Sequence, residues 1–328
     1  MTAMDYYKNR KVLVAGSTGL VGMALTRRLS ESGARVRAVV HTTPPPVKYP
    51  GVEYVTADLT GKEDCRRVVD GMEFVFLVAA NTSGAATISA TPLVHVTPNI
   101  ILNALMLEAA YTAGVLKFMW LSSTTGYPDT GARPVKEEEM YNGDPYDVYF
   151  PVGWMKRYTE VLCRMYSTKL KKTMCVQVAR PTNIYGPFDD FRWETSHVLP
   201  ALIRKVVERQ NPLEIWGTGD DVRDVIYVED FAEACLSILE KSTTYDPVNV
   251  GLGKGYSVKE MVRTLCEVEG YKDAKIVFNS NKPSMIPVRL IDATKAAAKY
   301  GFKAKTDLRE GIEKTAKWYR DNLAIVKR

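Results

Sequence analysis

Gly16, Gly19 and Gly22 stand at three-residue intervals in the stretch Lys11-Val-Leu-Val-Ala-Gly-Ser-Thr-Gly-Leu-Val-Gly22. Glycines so spaced let a backbone turn tightly and approach a bulky anion that side chains would hold off. A short apolar run, Val12–Ala15, precedes them, and a segment of helical period follows. The start of that helix points unpaired N–H groups at the anion. The chemistry this suits is the holding of a dinucleotide pyrophosphate by Gly16, Ser17, Thr18, Gly19, Leu20, Val21 and Gly22. Three glycines alone would mark only a turn. Their place after a strand, at the head of a βαβ series, gives them the binding reading.

The end of the second strand bears on which dinucleotide. An acidic residue there would hold the ribose hydroxyls of NAD. Here the chain reads Val39-Val-His-Thr42, with no carboxylate. His41, with Arg37 behind it, suits a 2′-phosphate, or His41 is simply a polar strand end. The expected cofactor is NADP or NAD, with NADP preferred.

Apolar runs bounded by turn residues alternate with segments of helical period. Strands are expected at Val12–Ala15, Val36–Val40, Val52–Ala57, Glu73–Val78, Phe118–Ser122 and Cys175–Ala179. Helices are expected at Leu20–Ser30, Lys62–Asp70, Pro98–Ala113 and Val152–Ser167. Near-continuous apolar strands in βαβ order specify an α/β fold, a Rossmann-type doubly wound parallel sheet. After Pro181 the pattern becomes irregular, with helices at Ser196–Arg209, Val228–Lys241 and Ser257–Glu269. The division expected is a dinucleotide-binding domain over 1–180 and a smaller α/β substrate lobe over 181–328, some of whose segments return to the first domain.

Composition removes several classes. The 328 residues are 46% hydrophobic and 25% charged, with a net charge of +6, an ordinary soluble balance that tolerates anionic ligands. Basic residues are scattered except for Lys169-Leu-Lys-Lys172, and no basic aromatic platform for nucleic acid appears. Five Cys without metal-type spacing and three separated His point to no metal site and to reduced thiols in the cytoplasm. No uninterrupted apolar run of membrane-spanning length is evident, so no membrane association is expected.

Several phrases together resemble the extended short-chain dehydrogenases/reductases that act on nucleotide sugars, the NAD-dependent epimerase/dehydratase family. Beside the glycine loop these are Ala57-Asp-Leu59, Leu77-Val-Ala-Ala80, Leu121-Ser-Ser-Thr-Thr-Gly-Tyr127, Arg180-Pro-Thr-Asn-Ile-Tyr-Gly-Pro187 and Arg223-Asp-Val-Ile-Tyr-Val228. The resemblance spans nearly the whole chain. It implies that Asp58 and Leu59 meet the adenine, that Ala79 and Ala80 lie along the cofactor, and that Ser123 hydrogen-bonds a sugar oxygen. It also implies that Lys156 holds the nicotinamide ribose and lowers the pKa of a Tyr four residues earlier. That position is Val152, which exchanges no proton. Tyr149, seven residues before Lys156, either supplies the missing hydroxyl or packs at the domain seam. Tyr146 is a weaker candidate for the same part.

The resemblance also bears on reaction type. Family dehydratases carry an Asp-Glu pair where this chain has Thr124-Thr125, so water elimination is disfavoured. Members that epimerise at C3 and C5 use a Cys at the place of Thr125 and a His at the place of Phe188, and both are absent. A Thr at 125 matches the 4-epimerases, whose reaction needs only transient oxidation at one carbon. The expected activity is hydride transfer at a hexose carbon of a nucleoside-diphosphate sugar, as epimerase or 4-keto reductase. The competing reading is an inactive NAD(P)-binding regulatory or scaffold protein.

For the substrate, Arg223 offers a planar fork to diphosphate oxygens and Asn183 an amide donor. Leu199 sits where the family's nucleotide runs along a helix start. Trp216 stacks on the base or fills the core, and Arg289 resembles a further diphosphate or ribose contact. Asp292 is either near that contact or the cap of a helix over Thr294–Tyr300. The two long helices ending near 113 and 167 correspond to those pairing family subunits, which implies a homodimer. Leu102, Leu105, Leu162 and Met165 either build that contact or face the protein's own sheet.

Overall fold

Apolar strands buried on both faces need helices on both sides, and the computed structural model has that arrangement. It describes residues 3–82, 91, 93–282 and 285–326. After a short helix α1 (Ala3–Tyr7), the elements run β1 (Lys11–Ala15), α2 (Leu20–Glu31), β2 (Arg35–Val40), β3 (Glu53–Thr56), α3 (Lys62–Val69) and β4 (Phe74–Leu77). Next come α4 (Leu93–Thr112), β5 (Lys117–Leu121), α5 (Phe150–Thr168), β6 (Cys175–Pro181) and β7 (Asn183–Tyr185). The chain continues through α6 (Val198–Val207), β8 (Leu213–Trp216), β9 (Val222–Tyr227), α7 (Val228–Lys241), β10 (Val248–Val250) and β11 (Gly255–Ser257). It closes with α8 (Val258–Val268), β12 (Ile276–Asn279), β13 (Val288–Arg289), α9 (Thr294–Tyr300) and α10 (Leu308–Asp321).

Seven strands form a parallel sheet in the order β10-β6-β5-β4-β1-β2-β3. The order reverses between β1 and β4, which opens a crevice at their carboxyl ends. Strand β10 and helix α7 come from the second half of the chain and complete this sheet and one of its cores. The smaller lobe packs α6, α8 and α10 around its own apolar cluster, beneath β9 with its neighbours β7, β11 and β13.

Helix α4 begins at Leu93, five residues before the expected start, with Pro98 inside it. A proline there removes the N–H that would bond the Val94 carbonyl. The side-chain amide of Asn81 donates to that carbonyl instead, at 2.9 Å. By length and apolarity alone α4 could cross a membrane, contrary to the expectation from sequence. Its inner face, however, buries Asn99, Leu102, Asn103, Met106 and Leu107, and both asparagines are hydrogen-bonded within the protein. It is a core helix covering the sheet.

Helix α5 is fixed from behind by a buried ion pair. Glu160 is 0% exposed and takes two bonds from Arg180 of β6, at 2.9 and 2.5 Å, and one from Ser122 Oγ at 2.6 Å. Arg180 also donates to the Tyr127 hydroxyl, which donates on to Asn249 of β10. Thus the phrase beginning at Arg180 divides: its arginine is core structure. Replacing Glu160 with Ala leaves a buried guanidinium unpaired, with an expected loss of about 3–5 kcal/mol of unfolding free energy. Urea denaturation of the variant measures it.

Candidate active site

The glycine loop separates into residues the fold needs and one it does not. Gly16 has φ +96°, and a Cβ there would lie 2.5 Å from the Ala79 nitrogen. A Cβ on Gly22 would lie 2.0 Å from the Gly16 carbonyl oxygen. Gly19 is different: its φ is −88° and a Cβ would meet only the Gly16 oxygen, at an ordinary 3.7 Å. Packing does not demand this glycine, whereas close approach of a ligand backbone does. Gly19 is also the N-cap of α2 and offers no side-chain cap, so the first N–H groups of α2 are left for an anion. The residues therefore fit a dinucleotide pyrophosphate.

The loop's side chains take other parts. Ser17 is 1% exposed and its hydroxyl donates to the Val39 carbonyl at 2.8 Å, tying the loop to β2. Thr18 is half-buried, and Leu20 and Val21 pack on the core, so these last two can offer only backbone. Ala79 lies under Gly16, and Ala80 is exposed beyond it. Asn81 follows, pinned by Asn99, whose side chain bonds both its N–H and its carbonyl. Neither asparagine was singled out from sequence; a lone polar residue in an apolar helix was the available signal.

At the adenine end Asp58 is exposed and Leu59 buried. Hydrogen bonds from the Thr60 backbone and hydroxyl hold the Asp58 carboxyl below the usual range. His41 is exposed and close enough to favour the Asp58 charge. Arg37 does not join it: its guanidinium is committed to Glu53 and to the carbonyls of Val68 and Asp70. The sequence expectation for Arg37 is corrected accordingly, and His41 stands alone of the two.

The end of β5 carries the reactive groups. Lys156 is buried, its Nζ donating to the Leu121 carbonyl at 3.0 Å and lying 4.8 Å from the centre of the Trp120 ring. Burial pushes its pKa down to about 8, against the pull of Glu160. Ser123 caps the next turn, its Oγ accepting from Thr125 N–H at 3.1 Å. The Thr125 hydroxyl is buried without a hydrogen-bond partner among the described residues. Gly153 lets α5 press against this turn: a Cβ there would lie 2.7 Å from the Thr125 carbonyl and 2.5 Å from Pro145.

Tyr149 is brought to a different neighbourhood. It is the N-cap residue of α5, after a short turn over Asp147–Tyr149, and its ring lies 6.4 Å from that of Tyr146. Burial raises its pKa, while Arg223 and Arg289 pull the other way. The groups acting on Lys156 are instead Glu160 and Cys163. The charges that act on this phenol are thus mainly those of the second lobe.

Those arginines are register partners on the parallel strands β9 and β13. Arg223 donates to the Val222 and Pro287 carbonyls and pairs with Asp221 at 3.2 Å. Arg289 is 5% exposed, donates to the carbonyls of Tyr127 and Pro128, and keeps a buried Nε without a partner. Burial works against its charge. It is thus a tether between the lobes as well as a candidate contact. Asn183 donates to the Asp224 carbonyl at 3.1 Å. Leu199 turns its side chain into the lobe core, leaving only first-turn backbone of α6 for a ligand. Trp216 is 43% exposed with Lys282 over its ring, which removes the core reading. Asp292 is a cap, accepting from the Thr294 N–H and hydroxyl.

A switch-point crevice with a glycine cradle, a Ser–Lys pair at the next strand end and arginines across the cleft define a dinucleotide-dependent enzyme of the Rossmann class. The family model described as the NAD dependent epimerase/dehydratase family matches residues 12–251, and the chain belongs to that family. It is 29% identical to GDP-L-fucose synthase 1 of Arabidopsis thaliana, over 96% of this chain and 95% of that protein. It is 28% identical to GDP-L-fucose synthase of Escherichia coli K12, over 95% and 97%. Among solved structures it resembles UDP-glucose 4-epimerase of Thermotoga maritima with UDP-glucose. That likeness has a TM-score of 0.85 and 27% identity, and covers 95% of this chain and 99% of the other.

The glycines give a separable test. Gly19→Ala is expected to leave the melting temperature nearly unchanged and to weaken NADPH and NADH binding roughly tenfold or more, read by nucleotide fluorescence. Gly22→Ala is expected to lower the melting temperature strongly, because the clash is with backbone. Equal effects of the two on stability would contradict this division.

Proposed function

We propose that the protein transfers hydride at a hexose carbon of a nucleoside-diphosphate sugar, as an NAD(P)-dependent epimerase or 4-keto reductase. The observation that carries this reading is the tie between two sets of groups, through Arg289 bonding the Tyr127 and Pro128 carbonyls just after the turn that Ser123 caps. Gly19, Ser123 and Lys156 line the strand ends of the large sheet, while Arg223 and Arg289 stand in register on the other lobe. The nicotinamide cofactor supplies hydride acceptance and return. Around it, Gly19 and the start of α2 hold pyrophosphate, Asp58 and Leu59 face adenine, and Lys156 reaches the ribose. Ser123 and Thr125 address the sugar, Arg223 and Asn183 the diphosphate, and Trp216 the base. His41 favours NADP.

The site's other residues support oxidation and reduction at one carbon. Thr124 and Thr125 provide no carboxylate for dehydration. Phe188, at φ +67°, packs its ring 4.8 Å from Trp318 and offers no acid or base for C3 or C5. Val152 invites a non-catalytic reading, but a protein that bound only the dinucleotide would have little use for Arg223 and Asn183 in the second lobe.

We place the protein in the cytoplasm, as a homodimer. Leu102 faces the protein's own core, so it does not form the subunit contact. The exposed face of α5 carries Phe150, Trp154, Tyr158 and Val161, one helical stripe, with Ile101 exposed on α4. That stripe supports pairing with a second copy. Light scattering of the wild type is expected to give the mass of two chains, and Trp154→Asp that of one.

Incubation with NADP or NAD and a panel of UDP- and GDP-hexoses and their 4-keto forms, followed by NMR, tests the activity. Turnover at C4 is expected; none with either cofactor overturns the reading. Arg223→Ala is expected to raise KM for the nucleotide sugar about 10- to 100-fold, the worth of one or two charge-assisted bonds, without weakening dinucleotide binding.

A further inference from the structure

Resting on the nucleotide-sugar reading, we propose that the ε-amine of Lys156 itself exchanges the proton of the sugar hydroxyl being oxidised or re-formed. One turn before Lys156 stands Val152, so the position that would share its helix face brings no phenol to this amine. Of the tyrosines nearby, two stand among other groups. Tyr149 sits in the field of Arg223 and Arg289. Tyr127 is 0% exposed, with its hydroxyl shared between Asn249 and Arg180. The hydroxyls of Ser123 and Thr125 can orient a substrate oxygen but do not titrate near neutral pH.

Lys156 is placed to take the role. The carbonyl it bonds belongs to Leu121, two residues before Ser123, so the amine lies at the strand end that presents that serine. It has three donors, and among the described residues the bond to Leu121 is the one it forms, with no carboxylate paired to it. Glu160, one turn later, is committed to Arg180 and Ser122. The other titratable group facing it is Cys163 on its own helix. Strand β5 presents the Trp120 ring and a carbonyl, and α4 brings the uncharged Asn103, bonded to the Trp120 indole. Burial favours the amine, Glu160 and Cys163 favour the ammonium, and the balance falls at a pKa of about 8.

The step balances without another reagent. In oxidation the C–H bond breaks with its electron pair passing to the nicotinamide, and the O–H proton passes to the Lys156 amine. A carbonyl and an ammonium remain. In reduction the ammonium returns its proton to the carbonyl oxygen as hydride arrives at carbon. Oxidation needs the amine, so its rate rises with pH through about 8; reduction needs the ammonium, so its rate falls through the same pH.

Two measurements test this. In the unliganded protein, the ¹³Cε shift of Lys156, assigned with Lys156→Arg, is expected to titrate near pH 8; an ammonium persisting above pH 10 overturns the proposal. In turnover, Lys156→Arg keeps a cation but cannot release its proton. It is expected to lose at least about 100-fold in kcat with dinucleotide affinity within a few-fold. The pH midpoint is expected to persist in Tyr149→Phe, whatever that variant's rate. Turnover by Lys156→Arg, or a midpoint that disappears with Tyr149, overturns the role of Lys156 and leaves the nucleotide-sugar reading standing. A wild type that turns over no sugar nucleotide overturns both.

Discussion

The ion pair between Glu160 and Arg180 fixes where everything else in the cleft can be. Burying two charges costs several kcal/mol per ion, returned only when geometry is good and the remaining oxygens and protons are satisfied. Here they are: Glu160 takes bonds from Arg180, Ser122 and Tyr245, and Arg180 also reaches Tyr127 and the Glu137 carbonyl. The network therefore sets the depth and rotation of α5 against β5 and β6. Lys156, one turn before Glu160, inherits its position from this anchor. Because Glu160 is spent on the arginine, the lysine is buried beside a carboxylate without owning it.

The same network joins the lobes. Tyr127 carries it to Asn249 of β10, and the Asn249 amide bonds the carbonyls of Val135 and Asp292. Arg289 grips the carbonyls of Tyr127 and Pro128 from the other side. The turn that bears Ser123 and Thr125 is thus held between the large sheet and the substrate lobe. A ligand touching both lobes meets one braced surface, which is what orienting a sugar against a cofactor requires.

Local features of this architecture were legible in the sequence. The glycine loop is written in consecutive residues, and the strands of the large sheet announce themselves as short apolar runs. Lys156 could be placed from its helix. What needed the structure was everything set by distant contacts. Strand β10 is three residues long, and nothing in Val248–Val250 says that it pairs with β6. Pro98 reads as a helix start because its compensating partner, Asn81, lies well upstream in the sequence. Arg37 reads as a ligand group because a sequence shows its charge but not the Glu53 that consumes it. The direction of Tyr149 was undetermined for the same reason: its residues of approach are a turn, and a turn's aim is fixed by what it packs on.

That aim is over-determined in the fold. Pro145 lies against Gly153, which has no room for a Cβ, so the segment leading to α5 is clamped to the helix's first turn. The Tyr149 N–H then donates to the Tyr146 carbonyl at 2.7 Å, closing the turn that leads into α5, and the arginines of β9 and β13 act on its phenol. A phenol at position 152 would lie one turn from Lys156, and residues four apart share a helix face. The chain thus holds a valine where a phenol would share a face with Lys156, and a tyrosine at the turn on which the arginines act. The proton chemistry and the anion grip are separated by the geometry of a single turn.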